Sequence, residues 1–90
     1  MGTIDTVTQM AIRVLLFTQL KERLGQPEFV LSLPKGSCGQ DLIARLIERE
    51  PSLKPLLSVS RLAVNCAYAP FDTALEDGDE VAIISPVSGG

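Results

Sequence analysis

The hydrophobic positions fall into runs that predict strands and helices in a definite order. Residues 10–18 are almost continuously apolar, which predicts a central strand covered on both faces. Residues 19–24 suit a short helix that ends at Gly25, because glycine is common at the position directly after a helix. Residues 28–33 alternate between apolar and polar positions and predict a second strand, which Pro34 closes.

A longer helix is predicted to follow. The segment Ser37-Cys38-Gly39-Gln40 has the spacing of a capping box, in which the Ser37 side chain accepts a hydrogen bond from the Gln40 backbone N–H. The apolar positions of the helix then lie along one stripe, at Leu42, Ile43, Leu46 and Ile47. Pro51 disfavours helical backbone at the residue before it, so we expect the helix to end there.

The second half of the chain predicts three more strands. Residues 53–57 suit a short turn or 3₁₀ segment, residues 61–65 a third strand and residues 68–71 a brief edge strand. Residues 75–80 carry turn chemistry and lead into an apolar last strand at 81–84. The first and last strands are the most apolar, so we expect them parallel and adjacent at the sheet centre. The fold class is therefore α+β, a mixed sheet of about five strands packed on one main helix.

Length and composition indicate one small globular domain. The chain has 90 residues, of which 46% are hydrophobic. No apolar run approaches the roughly 20 residues of a membrane helix, and the first basic residue is Arg13, so a signal peptide is not predicted. We therefore expect a cytoplasmic protein with no membrane partner, and we interpret the polar residues 1–9 as a flexible N-terminal extension.

Charge and residue content narrow the possible functions. The formal net charge is −3, which disfavours a nucleic-acid partner. Without histidine the chain lacks the commonest general base and metal ligand, so we expect neither catalysis by this chain alone nor a bound metal or cofactor. Cys38 and Cys66 form no C-x-x-C pair, which indicates reduced thiols rather than a disulfide or zinc site.

An acidic group lies just before the last strand. Its members are Asp72, Glu76, Asp77, Asp79 and Glu80. Carboxylates in this number suit either a metal ion or a basic partner, although a solvated turn beside a strand explains them more simply.

The chain ends on Pro86-Val87-Ser88-Gly89-Gly90, directly after the last apolar strand. Pro86 has no backbone N–H and prevents the strand from extending into this segment. The two terminal glycines have no side chain, so they can pass through a narrow channel. The Gly90 carboxylate is therefore our candidate for the reacting group, and the alternative is an ordinary frayed end.

Taken together, these motifs resemble the family of small sulfur-carrier subunits of molybdopterin synthase, which are ubiquitin-like β-grasp proteins. The resemblance covers residues 10–90, with a β-grasp sulfur-carrier domain at 10–85 and a flexible Gly-Gly tail at 86–90. It rests on Ile12-Arg13-Val14-Leu15-Leu16-Phe17, Ala63-Val64-Asn65, Phe71-Asp72, Asp77-Gly78-Asp79-Glu80-Val81 and Pro86-Val87-Ser88-Gly89-Gly90.

The resemblance implies a role in molybdenum cofactor biosynthesis. An E1-like adenylyltransferase would use ATP to adenylate Gly90, and a sulfur donor system would convert the adenylate to a thiocarboxylate. The sulfur would then pass to the pterin precursor, cyclic pyranopterin monophosphate, inside the large catalytic subunit of a heterotetramer. This chain would bind no cofactor itself and would carry only the covalent thiocarboxylate.

The resemblance also implies a partner interface formed by Phe17, Tyr68 and Ser85. The tail residues that would enter the partner are Pro86, Val87, Ser88 and Gly89. Phe17 lies in so apolar a run that a place in the core fits equally well, whereas Tyr68, between two alanines, is expected to be exposed.

This chain departs from the family at one point. It has Ile84-Ser85-Pro86 where the family often has an aromatic pair and two prolines. The loss of an aromatic anchor predicts a weaker hydrophobic contact or a different partner pairing.

Three alternatives share some of these features. A sulfur carrier for thiamine thiazole, tRNA thiolation or cysteine synthesis would have the same fold and tail. A ubiquitin-like modifier would use the same adenylate to form isopeptide bonds with lysines. A plain interaction domain would have an inert tail.

Overall fold

The computed structural model describes residues 9–86. Its elements, in chain order, are β1 (Gln9–Leu16), α1 (Thr18–Leu24), β2 (Glu28–Pro34), α2 (Gly39–Arg49), a 3₁₀ turn (Pro51–Leu53), α3 (Lys54–Leu57), β3 (Arg61–Val64), β4 (Ala67–Ala69) and β5 (Glu80–Ile84). Most of the predicted extension and the last four residues of the predicted tail lie outside the described residues.

The strands form one five-stranded sheet in the order β2-β1-β5-β3-β4. β1 and β5 are parallel at the centre, and the other neighbouring pairs are antiparallel. The buried residues of α2 join the hydrophobic core formed with the inward residues of the sheet. The predicted fold class is confirmed: this is a ubiquitin-like β-grasp.

The prediction that β1 is covered on both faces is wrong. Alternate residues of β1 are buried, and they are Met10, Ile12, Val14 and Leu16. The residues between them face the other way, where Ala11 and Arg13 are exposed and Leu15 is half-buried. The helices therefore cover one face of the sheet and leave the other open. β1 also ends at Leu16 rather than at residue 18, because Thr18 has a positive φ of 46° and begins α1.

The predicted capping of α2 is wrong in its residues. The residue at the N-cap is Cys38, whose backbone N–H donates to the Asp41 carboxylate at 2.9 Å. The Ser37 hydroxyl instead donates to the Pro34 carbonyl at 2.7 Å and closes the preceding turn. A carboxylate in the first turn also interacts favourably with the positive end of the helix dipole.

The start of α2 lies very close to β3. A Cβ placed on Gly39 would collide with the Leu62 side chain and would lie 3.0 Å from the Phe71 carbonyl oxygen. Glycine therefore avoids a shift of Leu62 and Phe71 that a side chain at this position would demand.

The turn between β3 and β4 lies one residue earlier than predicted. Asn65 and Cys66 both have positive φ, at 50° and 74°, and form a two-residue turn of the type that matches strand twist. β3 consequently ends at Val64 and β4 is confined to Ala67–Ala69, rather than to the predicted 61–65 and 68–71.

The acidic turn before β5 has a structural role. The Asp77 carboxylate accepts a hydrogen bond from the Ala11 backbone N–H at 2.7 Å. The Asp79 carboxylate accepts from the Glu76 backbone N–H at 2.8 Å and from the Asn65 amide at 3.0 Å. No cluster of three or more metal-ligating side chains occurs among residues 9–86. These carboxylates fix the turn against β1 and the β3–β4 hairpin.

Two further findings concern cysteines and membranes. Cys38 is partly buried and Cys66 is exposed, and the two are not joined to each other. Within the described part of the chain, no helix has the length and apolar character needed to cross a membrane.

Candidate functional site

The open face of the sheet carries an apolar row that runs across four strands. Leu15 of β1 is in register with Ala82 of β5, which is in register with Ala63 of β3. Ala63 in turn lies opposite Tyr68 on β4. Because side chains directly opposite each other in a sheet share a face, these four residues lie on the open face, although Ala63 itself is only 8% exposed.

Phe17 and Ile84 extend this row toward the end of β5. Ile84 follows Ala82 on the same face of β5 and is half-buried. Phe17 comes two residues after Leu15 with extended backbone, and its side chain is 46% exposed, so it is not part of the core. We use the term tail-side patch for the set Leu15, Phe17, Ala63, Tyr68, Ala82 and Ile84.

Tyr68 is the most exposed large residue of the patch, at 67%, as its sequence position predicted. The guanidinium carbon of Arg61 lies 5.6 Å from the centre of the Tyr68 ring. An arginine over an aromatic face is attracted to the ring and restricts its orientation.

The structure does not bring Ser85 to this surface. Ser85 is only 3% exposed, and its hydroxyl oxygen lies 3.4 Å from the Thr18 hydroxyl oxygen. The neighbouring Ile84 occupies the open face instead. Ile84 and Leu15 were missed by sequence reasoning, although a strict two-residue alternation applied to β1 and β5 together would have identified them.

The opposite end of the open face carries charged side chains that pair with one another. The Arg13 guanidinium lies 2.9 Å from the Glu80 carboxylate and 3.7 Å from the Glu28 carboxylate. These two ion pairs share Arg13 and link β1 to β2 and to β5. The open face is therefore apolar near the end of β5 and polar near its beginning.

The chain leaves the sheet beside the tail-side patch. At the end of β5, Ile83 is in register with Leu16 of β1, and Ile84 is in register with Arg61 of β3. Pro86 is exposed and is the last described residue. The predicted tail residues Val87, Ser88, Gly89 and Gly90 lie outside the described residues, and the predicted site chemistry at Gly90 falls among them.

A shallow groove borders the patch at the edge of the sheet. Its volume is about 300 Å³, and it is lined by Arg61, Leu62, Tyr68, Ala69, Pro70 and Phe71. Arg61 is the one charged residue in this lining. The site as described can therefore bind an apolar protein surface next to the departing tail.

Comparison with known proteins identifies the family of the chain. The model of the ThiS family matches residues 14–90. The chain is 42% identical over 83 residues to the molybdopterin synthase sulfur carrier subunit of Chlamydomonas reinhardtii, covering 90% of this chain and 100% of the relative. It is 37% identical over 86 residues to the subunit of the same name in Arabidopsis thaliana, covering 96% of this chain and 90% of the relative.

Solved structures agree with the sequence relatives. Subunits 1 and 2 of the molybdopterin-converting factor from Helicobacter pylori 26695 form a complex whose matching chain gives a TM-score of 0.62 at 27% identity, covering 90% of this chain and 100% of that chain. Small archaeal modifier protein 1 from Methanosarcina acetivorans gives a TM-score of 0.77 at 28% identity, covering 91% and 98%. On its sequence and its fold, the chain belongs to the ThiS family.

Proposed function

We propose that this chain is the sulfur-carrier small subunit of molybdopterin synthase. The observation that carries the proposal is the position of β5, which ends at the sheet centre beside the tail-side patch, five residues before Gly89 in the sequence. The curated relatives named above, which carry this function in their names, support it.

The proposed chemistry takes place at Gly90 and proceeds in two steps. A carboxylate is a poor electrophile, so the E1-like adenylyltransferase first joins it to the α-phosphate of ATP and releases pyrophosphate. A sulfur nucleophile from the donor system then displaces AMP and leaves a thiocarboxylate. This sequence divides one difficult substitution into two easier ones, as covalent catalysis does. The thiocarboxylate donates its sulfur to the pterin precursor.

The partner in the final step would be the large catalytic subunit, and the complex of two subunits in the Helicobacter pylori structure supports such a pairing. We infer that the tail-side patch docks on it and that the tail enters its active site within a heterotetramer. Phe17 and Tyr68 would make direct contacts, whereas Ser85 would act from below the surface by fixing the base of the tail to Thr18. The large subunit would supply the catalytic side chains.

Removal of Gly90 tests the proposal. The shortened chain should fold normally and bind the large subunit, yet transfer no sulfur to the precursor. A chain extended by one residue should fail in the same way, since the reacting carboxylate is displaced. Normal product formation by either variant would contradict the proposal.

A second candidate is a ubiquitin-like protein modifier, which the similarity to the archaeal modifier protein favours. It would use the same adenylate to join Gly90 to lysine side chains. Covalent conjugates that persist in reducing denaturant, and that disappear when Gly90 is removed, would identify this function. A carrier for another sulfur pathway would instead form the thiocarboxylate but give no product with the pterin precursor.

A further inference from the structure

Arg61 is an uncompensated cation at the border of the tail-side patch. Its guanidinium forms no ion pair and donates no hydrogen bond to any other residue between 9 and 86. Arg13, on the same face, lies within 4 Å of two carboxylates. In a chain with a net charge of −3, this exposed cation beside an otherwise apolar surface is available to an acidic partner.

The contact with Tyr68 places this cation over an aromatic ring. The guanidinium carbon of Arg61 lies 5.6 Å from the centre of the Tyr68 ring. A guanidinium held over a ring keeps N–H donors available at its edge, and two parallel N–H groups match the two oxygens of a carboxylate. The guanidinium group is therefore suited to a bidentate carboxylate.

The groove beside Arg61 adds a second recognition element. Leu62, Pro70 and Phe71 contribute apolar surface to its lining, and its volume of about 300 Å³ suits a small apolar group. A ligand for the whole site would place an apolar side chain in the groove and a carboxylate over Arg61. A protein segment satisfies both requirements at once.

We propose that Arg61 is a specificity-determining residue that pairs with a carboxylate of the large synthase subunit, next to an apolar side chain seated in the groove. The inference rests on the proposed function and adds the chemistry of the partner surface. Charge complementarity selects this occupant, because a carboxylate would neutralise the cation that this part of the chain leaves unpaired.

Affinity measurements test the charge requirement. We would compare Arg61→Gln, Arg61→Glu and Arg61→Lys by calorimetry against the large subunit from the same organism. Arg49 is a matched control, because its guanidinium carbon also lies over an aromatic ring, at 5.1 Å from the centre of Phe29, on the helix-covered side. Arg49→Gln and Arg49→Glu should leave the affinity unchanged.

The expected losses are graded by charge. The dissociation constant should rise about tenfold for Arg61→Gln, which removes the charge, and about a hundredfold for Arg61→Glu, because like charges at an interface repel. Arg61→Lys keeps the charge and should raise the dissociation constant by less than Arg61→Gln does. The differences should shrink at high salt, since exposed charges are screened. Arg61 variants that bind as well as Arg49 variants would overturn the inference and leave the proposed function intact. If the unmodified chain does not bind the large subunit, both fail.

A cross-linking experiment identifies the occupant directly. In Arg61→Lys the introduced amine can be joined to a nearby carboxylate with a carbodiimide, and the linked peptides can be mapped by mass spectrometry. A link to an aspartate or glutamate of the large subunit, absent when Arg49→Lys is treated in the same way, supports the proposal. A link confined to this chain's own Gly90 carboxylate or to a second copy, or no link from this position, overturns it.

Discussion

Leu15 and Leu16 are neighbours in one strand with identical side chains, yet they belong to different surfaces. Leu16 is 2% exposed and packs in the core under the helices, whereas Leu15 is half-buried on the open face. Ile83 and Ile84 in β5 repeat the contrast, with Ile83 fully buried. Because side chains alternate along a strand, the same central strands carry the fold on one face and an interaction surface on the other.

The open face itself divides into two ends. At one end, Arg13 is paired with Glu28 and Glu80, so its charges are satisfied within the chain. At the other end, the tail-side patch leaves Tyr68 and Phe17 exposed. We expect only the second end to bind a partner. The predictions below test these two contrasts, beginning with the largest effect.

The largest functional effect should come from Gly89→Val. An added isopropyl group cannot pass through a channel shaped for glycine, and valine disfavours many backbone angles open to glycine. Sulfur transfer should therefore be abolished. The free energy of unfolding should change by no more than about 0.5 kcal/mol, because Gly89 follows the last strand by five residues and we expect it to lie outside the core. Product assays and chemical denaturation measure the two quantities. Thiocarboxylate formation and product formation at normal rates would show that the tail is not threaded into a partner.

The contrast between the two faces predicts opposite effects for Leu16→Ala and Leu15→Ala. The first removes a buried side chain and should lower the free energy of unfolding by about 2–5 kcal/mol. The second should cost less than about 1.5 kcal/mol, since its site is partly solvated, but should weaken binding to the large subunit. Urea denaturation and calorimetry measure these changes. Equal destabilisation by both variants would show that the open face also contributes to the core.

The contrast between the two ends of the open face predicts that Tyr68→Ala loses affinity for the large subunit. If Tyr68 is a hot spot, the substitution should weaken binding to the large subunit by about 1–3 kcal/mol. Val30→Ala is the control, because Val30 is 65% exposed and lies opposite Arg13 at the charged end. Calorimetry that finds the same affinity for both variants would remove Tyr68 from the interface.

The smallest effect should come from Arg13→Gln. Its ion pairs are partly exposed, and such pairs contribute about 0–1 kcal/mol to stability. The decrease in the free energy of unfolding should be smaller still at high salt, because the Coulomb interaction is screened. Binding to the large subunit should not change. A substantial loss of affinity would mean that the docking surface extends over the whole open face.

The sequence predicted the order of elements and the central parallel pair, because long apolar runs mark the strands. It did not separate the two faces of β1, since Ala11 and Leu15 are apolar even though they face outward. The positive φ angles of Asn65 and Cys66 were also missed, because neither residue is glycine and the turn is set by the strands it joins.

For the site, sequence reasoning identified Tyr68 as exposed but left Phe17 between core and surface. The burial of Ser85 continues the alternation of the buried residues Val81 and Ile83, whereas its contact with Thr18, 67 positions away in the chain, is reported by no local pattern. The place of Ile84 on the open face follows from the alternation of β5, whereas the position of Arg61 beside Ile84 and Tyr68 depends on strand register, which single-strand patterns do not determine.

The central claim is that Gly90 carries sulfur, and the intact mass of the chain tests it most directly. The chain would be incubated with ATP, the activating enzyme and a sulfur donor, and then measured by mass spectrometry. We predict a mass gain equal to the replacement of one oxygen by one sulfur, dependent on ATP and located in the C-terminal peptide. An unchanged mass, or a gain located elsewhere in the chain, would contradict the claim.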